Sequence, residues 1–257
     1  MKVIHGSLII IFFITLVSGC TGRRSGTTES EAGSDTTAAV PDTGYTGIKQ
    51  YYSGEHLLKE VTFKNGIRHG ETKTYYQDGR LYQTFWYENG LREDSGRWYY
   101  PDGKVFRSTP YKNDTMDGIQ IQYYRTGRKR AKLGYNKGLR TPFLEEYTPQ
   151  GRLDRDYPEI VSTIRDDYNS RGTVRINLEL SNKAIKVKFY RGEFYNGVFD
   201  TSKCQLLNTT NGKAYLDLKK TGSPQADYVG VIAVILTRYS NNYLAYKKIE
   251  LSYDDLK

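Results

Sequence analysis

Beyond the first twenty residues the chain has two histidines, His56 and His69, and one cysteine, Cys204, far from both. A Ser-His-Asp or Cys-His nucleophile would have to recruit one of these imidazoles. Both sit in short hairpin-like stretches, where an exposed turn residue is the expected role. Zinc needs three or four clustered ligands, which this set barely supplies. The adjacent acids Glu145-Glu146, Asp166-Asp167 and Asp254-Asp255 are the right type for glycoside hydrolysis. However, neighbours on a strand point to opposite faces and cannot flank one bond. They read as solvated edges. With no Gly-rich phosphate loop and no alternating Asp/Asn calcium loop, the expectation is a non-catalytic protein with no metal and no cofactor.

One stretch concentrates charge. In "YYRTGRKRAKLGY" the cations Arg125, Arg128, Lys129, Arg130 and Lys132 crowd one hairpin beside Tyr123 and Tyr124. Such a cluster could take a lipid headgroup, an acidic glycan or an acidic partner, with tyrosine rings to stack on sugars. It could equally be a solvated hairpin, because basic residues on exposed strands suppress edge-to-edge association. Basic residues also recur at the same turn elsewhere, at Arg80, Lys104 and Arg152.

That recurrence belongs to a repeat. The pairs Tyr51-Tyr52, Tyr75-Tyr76, Tyr99-Tyr100 and Tyr123-Tyr124 are spaced by 24 residues, and Tyr147 falls on the next step. The same step carries Gly79, Gly103, Gly127 and Gly151, then Leu57, Leu81, Val105 and Leu153, then Phe63, Tyr87, Tyr111 and Tyr135, and finally Gly66, Gly90 and Gly138. Each unit holds two turn signals, Asp78-Gly79 or Asp102-Gly103 after the tyrosine pair and Asn65-Gly66 or Asn89-Gly90 after the second run. These dipeptides tolerate the positive φ of tight hairpins, so each unit should contribute two antiparallel strands. A two-residue turn at Asp78-Gly79 would set Tyr76 opposite Leu81 and put the two rings of each pair on opposite faces. Stacked hairpins pair every internal edge and lay equivalent side chains in columns, so most of the tyrosines should be packing residues first.

The pattern G-x4-YY-x2-G-x-L-x5-Y-x-N-G, as in "GETKTYYQDGRLYQTFWYENG", resembles the MORN repeat variant of bacterial proteins, often grouped as YwqK-family antitoxins. The resemblance spans residues 47–153 and implies an elongated β-hairpin array used as an interaction or scaffolding surface. Departures at Glu55, Asp94, Asp114, Lys129 and Pro142 read as wear in the outer units.

The chain opens with "MKVIHGSLIIIFFITLVSGC", one lysine and then an apolar run, the form of a secretory signal peptide (1–19). Its end, Val17-Ser18-Gly19-Cys20, resembles the bacterial lipobox. That implies lipidation of Cys20, including palmitate-type acylation, and several acyl chains make a stable anchor. Residues 20–44 are rich in Gly, Ser, Thr and acids and read as a flexible tether. With Thr21 after the cysteine, resemblance to Gram-negative sorting rules implies the outer membrane. An antitoxin of a cytoplasmic toxin cannot sit there, although a periplasmic immunity role could. The net charge of +9 leaves +7 on residues 45–153 and +3 on residues 154–257. In that compartment a basic body meets anionic lipid, glycan or protein sooner than nucleic acid.

After residue 157 the period vanishes and longer β runs take over: 173–181, 183–194, 212–220, 228–240 and 243–253. Ile176, Leu178 and Leu180 alternate with polar residues, as do Ile185, Val187 and Phe189, while 229–236 is apolar throughout like a central strand. Turns are expected at Ser181-Asn182, Asn211-Gly212 and Asn241-Asn242, and 159–168 is either a strand or a short helix. About seven strands point to an immunoglobulin-like sandwich over 157–257. The whole reads as an all-β chain, an antiparallel hairpin array followed by a sandwich. The expected role is that of a membrane-anchored binding scaffold, with a periplasmic immunity protein and a glycan-binding or glycan-active envelope protein as alternatives.

Overall fold

The computed structural model describes residues 44–257. The signal peptide, Cys20 and the tether up to residue 43 lie outside the described residues. Within them the chain is all-β, and the repeats build one antiparallel sheet of eleven strands. These are β1 (Gly47–Ser53), β2 (His56–Lys64), β3 (Ile67–Tyr75), β4 (Leu81–Glu88), β5 (Leu91–Tyr99), β6 (Val105–Lys112), β7 (Thr115–Met116), β8 (Gly118–Tyr123), β9 (Lys129–Asn136), β10 (Leu139–Tyr147) and β11 (Leu153–Asp154). They follow one another in chain order, with the short β7 pairing β6.

The two turns of each unit differ. The Asn-Gly turn is a two-residue hairpin with both residues at positive φ, as at Asn65 (52°) and Gly66 (77°), the geometry whose twist matches the flanking strands. The Asp-Gly turn is one residue longer than a two-residue turn allows. Gly79 N–H donates to the Tyr76 carbonyl at 2.9 Å and Tyr76 N–H to the Arg80 carbonyl at 2.7 Å, with Gly79 at φ 82°. This is a three-residue loop closed by a left-handed glycine. Tyr75, not Tyr76, therefore pairs with Leu81. The loop recurs at Tyr100–Lys104, Tyr124–Arg128 and Thr148–Arg152.

The first unit breaks the phase. Position 55 holds Glu where later units have glycine, and the turn closes instead on Gly54 and Glu55, with Ser53 opposite His56 and Tyr52 opposite Leu57. Strand β1 is slipped by one residue relative to the repeat. A slip of one sends every side chain to the other face, which is why Ile48 stands 59% exposed. Asp114 is not wear either. Its carboxylate accepts the Arg92 backbone N–H at 2.8 Å and Arg92 Nε at 2.9 Å, tying two units at a position where an αL residue is required.

The remaining strands are β12 (Ile160–Asp167), β13 (Thr173–Leu180), β14 (Val187–Arg191), β15 (Gln205–Leu206), β16 (Thr209–Thr210), β17 (Lys213–Lys219), β18 (Tyr228–Leu236) and β19 (Asn242–Glu250). They form two four-stranded sheets in the orders β12-β13-β17-β16 and β15-β14-β18-β19. Lettered A to G in chain order, with β15 as the extra strand C′, these are the ABED and C′CFG sheets of an immunoglobulin-type sandwich. Its core is aliphatic, with Ile176, Leu178, Leu180, Leu218, Val231 and Phe189 fully enclosed. Residues 159–168 resolve as a strand leading into a one-turn helix, α1 (Tyr168–Arg171).

Two expectations fail here. Ile185 does not join the strand of Val187 and Phe189. Lys183 turns at φ 57°, the Ala184-Ile185 backbone lies against the Gly212 turn, and Ile185 is 67% exposed. The expected Asn241-Asn242 turn lies at residues 238–240 instead, because Asn242 pairs with Leu236 inside the ladder. Thr237 N–H donates to the Asn241 carbonyl at 2.8 Å and Ser240 N–H to the Thr237 carbonyl at 3.0 Å. This is the same three-residue loop as in the array, with Ser240 at φ 63° in the glycine place.

Candidate interaction surface

Cross-strand partners share a face of the sheet. One row runs Thr74, Gln83, Trp98, Arg107, Gln122, Ala131 and Glu146. Beside it on the same face lie Val61, Thr72 and Phe85, then Thr109, Gln120 and Leu133. The opposite row runs Glu60, Lys73, Thr84, Arg97, Ser108, Ile121, Lys132 and Glu145. The first tyrosine of the later pairs lies over this far face. Tyr75 donates its hydroxyl to Glu60 at 2.5 Å, and Tyr147 donates to Glu145 at 2.6 Å. The Tyr75 hydrogen bond, helped by Gln50, holds the Glu60 carboxyl below its ordinary range. Burial, reinforced by that carboxylate, pushes the Tyr75 phenol up.

The second tyrosine stitches units together. Tyr76, Tyr100 and Tyr124 each donate their hydroxyl to the backbone carbonyl of the first tyrosine in the next unit, Tyr99, Tyr123 and Tyr147, at 2.9, 2.9 and 2.6 Å. The other edge is stitched through backbone N–H groups of the turns, with the Asp114 carboxylate adding to one of them. The turn residues Gly90, Asp114 and Gly138 donate N–H to the Arg68, Arg92 and Met116 carbonyls at 2.8, 3.0 and 2.8 Å. Arg68 and Arg92 then lie over the rings of Tyr87 and Tyr111, at 4.9 and 4.6 Å. Tyr52 sits on the slipped strand and donates to Gln50 instead, so the hydroxyl ladder starts at Tyr76. Tyr100→Phe should therefore lower stability by about 1 kcal/mol, whereas Tyr52→Phe should change nothing. Urea midpoints at unchanged m-value check both.

The basic hairpin does not form one free cationic patch. Arg125 pairs with Asp102 at 2.9 Å, and Arg128 donates to the Pro149 carbonyl at 3.0 Å. Lys132 pairs with Glu145 at 2.8 Å on the far face, and that hydrogen bond together with Tyr147 raises its ammonium pKa. Tyr124 belongs to the ladder, Tyr123 supplies a carbonyl to it, and Lys129 stands exposed at the turn. Arg130 has a different task. It donates to the Tyr239 carbonyl in the β18–β19 loop of the sandwich.

That loop docks on the near face of the sheet, and its anchor is Glu146. This carboxylate, 1% exposed, is no solvated edge. It accepts from Thr237 Oγ1 at 2.7 Å, Asn241 Nδ2 at 2.6 Å and the Tyr157 hydroxyl at 3.2 Å. Gln122 reaches Asn241 Oδ1 at 2.9 Å, Arg238 pairs with Asp154, and the rings of Tyr157 and Tyr243 stack at 4.3 Å. Burial pushes the Asp154 carboxyl upward, yet the Asp156 N–H and the Arg238 guanidinium outweigh it and hold the group below its usual range. The junction has a trace in the sequence. The column Leu58, Tyr82, Phe106 continues as Arg130 and Asp154. The rings of Tyr82 and Phe106 pack on the laddering tyrosines at 4.9 and 5.4 Å. The charged residues that replace them turn to the sandwich instead.

The remaining residues with candidate chemistry stay apart. His56 is exposed and His69 half-buried in β3. Cys204 is partly exposed, its Sγ 3.8 Å from the Glu193 carbonyl.

A hairpin array with two kinds of turn per 24 residues, docked on a β-sandwich, is thus the class of molecule. The MORN repeat variant model matches residues 96–113, the stretch from the middle of β5 through the three-residue loop to the turn after β6. The chain carries MORN-type repeats, and no curated protein matches it.

Proposed function

We propose that this protein is a non-catalytic scaffold whose MORN-type array presents its far face to a macromolecular partner, protein or envelope component, while Cys20 anchors it to the outer membrane. The observation that carries the reading is the far face itself. It lies opposite the docked loop of the sandwich, and Ile48, Trp86 and Ile119 stand 59%, 43% and 43% exposed on it among alternating acids and bases. Apolar anchors inside a polar field are the ordinary makings of an interaction surface. The +7 balance of the repeat region favours an acidic partner.

A photo-crosslinking residue at position 86 or 119 in the full chain should capture one recurrent partner from the native envelope, and one at position 195 on the sandwich should not. Equal capture from both positions would remove the assignment. The anchor has its own test. Cys20→Ser should abolish acylation and shift the protein to the soluble fraction, and unchanged membrane fractionation would overturn the lipid anchor.

A further inference from the structure

The sandwich carries a cleft that neither the array nor the junction uses. We propose that it binds an uncharged saccharide. The cleft, about 370 Å³, lies on the outward face of strands β12, β13 and β17 and is walled by residues 208–210. That volume is at the lower end of small-ligand sites. Register fixes its floor, because Thr163 faces Asn177 and Asn177 faces Tyr215 across the ladder. Their strand neighbours Ile176 and Leu216 point into the core.

Three features specify the ligand. Tyr215 is 54% exposed on this floor, and its ring is held in place. Arg175 lies over it at 4.4 Å and is itself fixed by two bonds to Asp217, at 2.6 and 2.7 Å. A ring immobilised before binding loses little entropy when a flat ligand stacks on it. Around the ring stand the hydroxyls of Thr163 and Thr210 and the amides of Asn177 and Asn208. Among the described residues none of these four side chains is hydrogen-bonded, so donors and acceptors are both available to sugar hydroxyls.

The charges at the cleft are already committed to one another. Glu179 takes Lys183 and stands 3.8 Å from Lys213. A phosphate or carboxylate ligand would need an unpaired cation here. A peptide added as a strand would lie beside the sheet along the edge of β12 and not over the floor, whose central strand β13 is paired on both sides. A saccharide face with its C–H groups on Tyr215 and its hydroxyls on the amides satisfies all three features.

The proposal stands independently of the array reading, and the test keeps them apart. The full chain is presented to a panel of neutral and acidic oligosaccharides, and the best neutral binder is titrated calorimetrically. Tyr215→Ala and Asn177→Ala should each weaken binding by about tenfold or more, while Tyr195→Ala, at an exposed ring elsewhere on the sandwich, should not. Far-UV dichroism confirms folding. Tyr215→Leu replaces Tyr215→Ala if the alanine variant melts early, since it keeps bulk without the stacking ring. Retention of acidic sugars alone, no retention of any neutral sugar, or undiminished affinity in both cleft variants would overturn the site. Binding lost in Trp86→Glu but kept in Tyr215→Ala would move recognition to the array, overturning this proposal while supporting the scaffold.

Discussion

Replacing Glu146 by alanine is expected to destabilise the protein by about 2–4 kcal/mol and to split a single unfolding transition into two. The carboxylate gathers Thr237, Asn241 and Tyr157 across the junction. Its removal leaves the buried Asn241 and the half-buried Thr237 and Tyr157 without their acceptor, at roughly 1–3 kcal/mol for each that water cannot reach. The three donors belong to the sandwich and the segment leading into it, and the acceptor belongs to the last full hairpin of the array, so the same change uncouples the two halves. Glu146→Gln keeps one acceptor oxygen and an amide that can donate toward Tyr157. It should cost about 1 kcal/mol and leave a single transition. Calorimetry with tryptophan fluorescence distinguishes these outcomes, because both tryptophans, Trp86 and Trp98, report on the array. A single, unshifted transition in the alanine variant would show that Glu146 does not hold the junction.

The second large effect lies inside the array. Gly96→Thr should destabilise by about 2–3 kcal/mol, the upper part of the usual range for overpacking. A β-carbon at Gly96 would stand 2.5 Å from Cε1 of Phe85 and 3.1 Å from Cε2 of Tyr111. Phe85 is itself fixed edge-on against Trp98, with ring centroids 5.2 Å apart. The other units solve the same position differently, with Val61 beside Thr72 and Thr109 beside Gln120. The double variant Phe85→Val with Gly96→Thr rebuilds the Val61/Thr72 combination and should recover more than half of the loss, a coupling expected of residues in contact. Chemical denaturation of the single and double variants checks this, and strictly additive losses would refute it.

The architecture was legible in the sequence for physical reasons. A 24-residue period with Gly, Asn and Tyr at fixed columns leaves little freedom in strand pairing, since each turn needs positive φ at a set place. The alternation of Ile176, Leu178 and Leu180 likewise specified a half-buried strand. Errors came where one residue decides register. Glu55 shows only a missing glycine, and nothing local says that Gly54 takes over the turn and slips β1. Asn241 and Asn242 have turn chemistry, yet pairing with Leu236 and the contact with Glu146 displaced the turn to residues 238–240. Glu146 itself could not be read, because an acid beside another acid on a strand is ordinarily solvated, and its burial depends on a loop nearly a hundred residues away. The basic hairpin was legible as charge but not as an arrangement. Its cations are distributed among an acid of the preceding unit, a backbone carbonyl, the far face and the sandwich.

The slipped first strand has a consequence for assembly. A repeat whose units differ little is in principle open-ended, and any matching strand arriving at its edge could prolong it. At β1 the inward and outward side chains are exchanged relative to the rest, so an incoming copy of the array that paired with its backbone would find no matching columns to continue. At the opposite end β11 is two residues long and leads directly into the sandwich. The array thus ends on a phase error at one side and on a different fold at the other, and neither end offers a next unit the columns it would need.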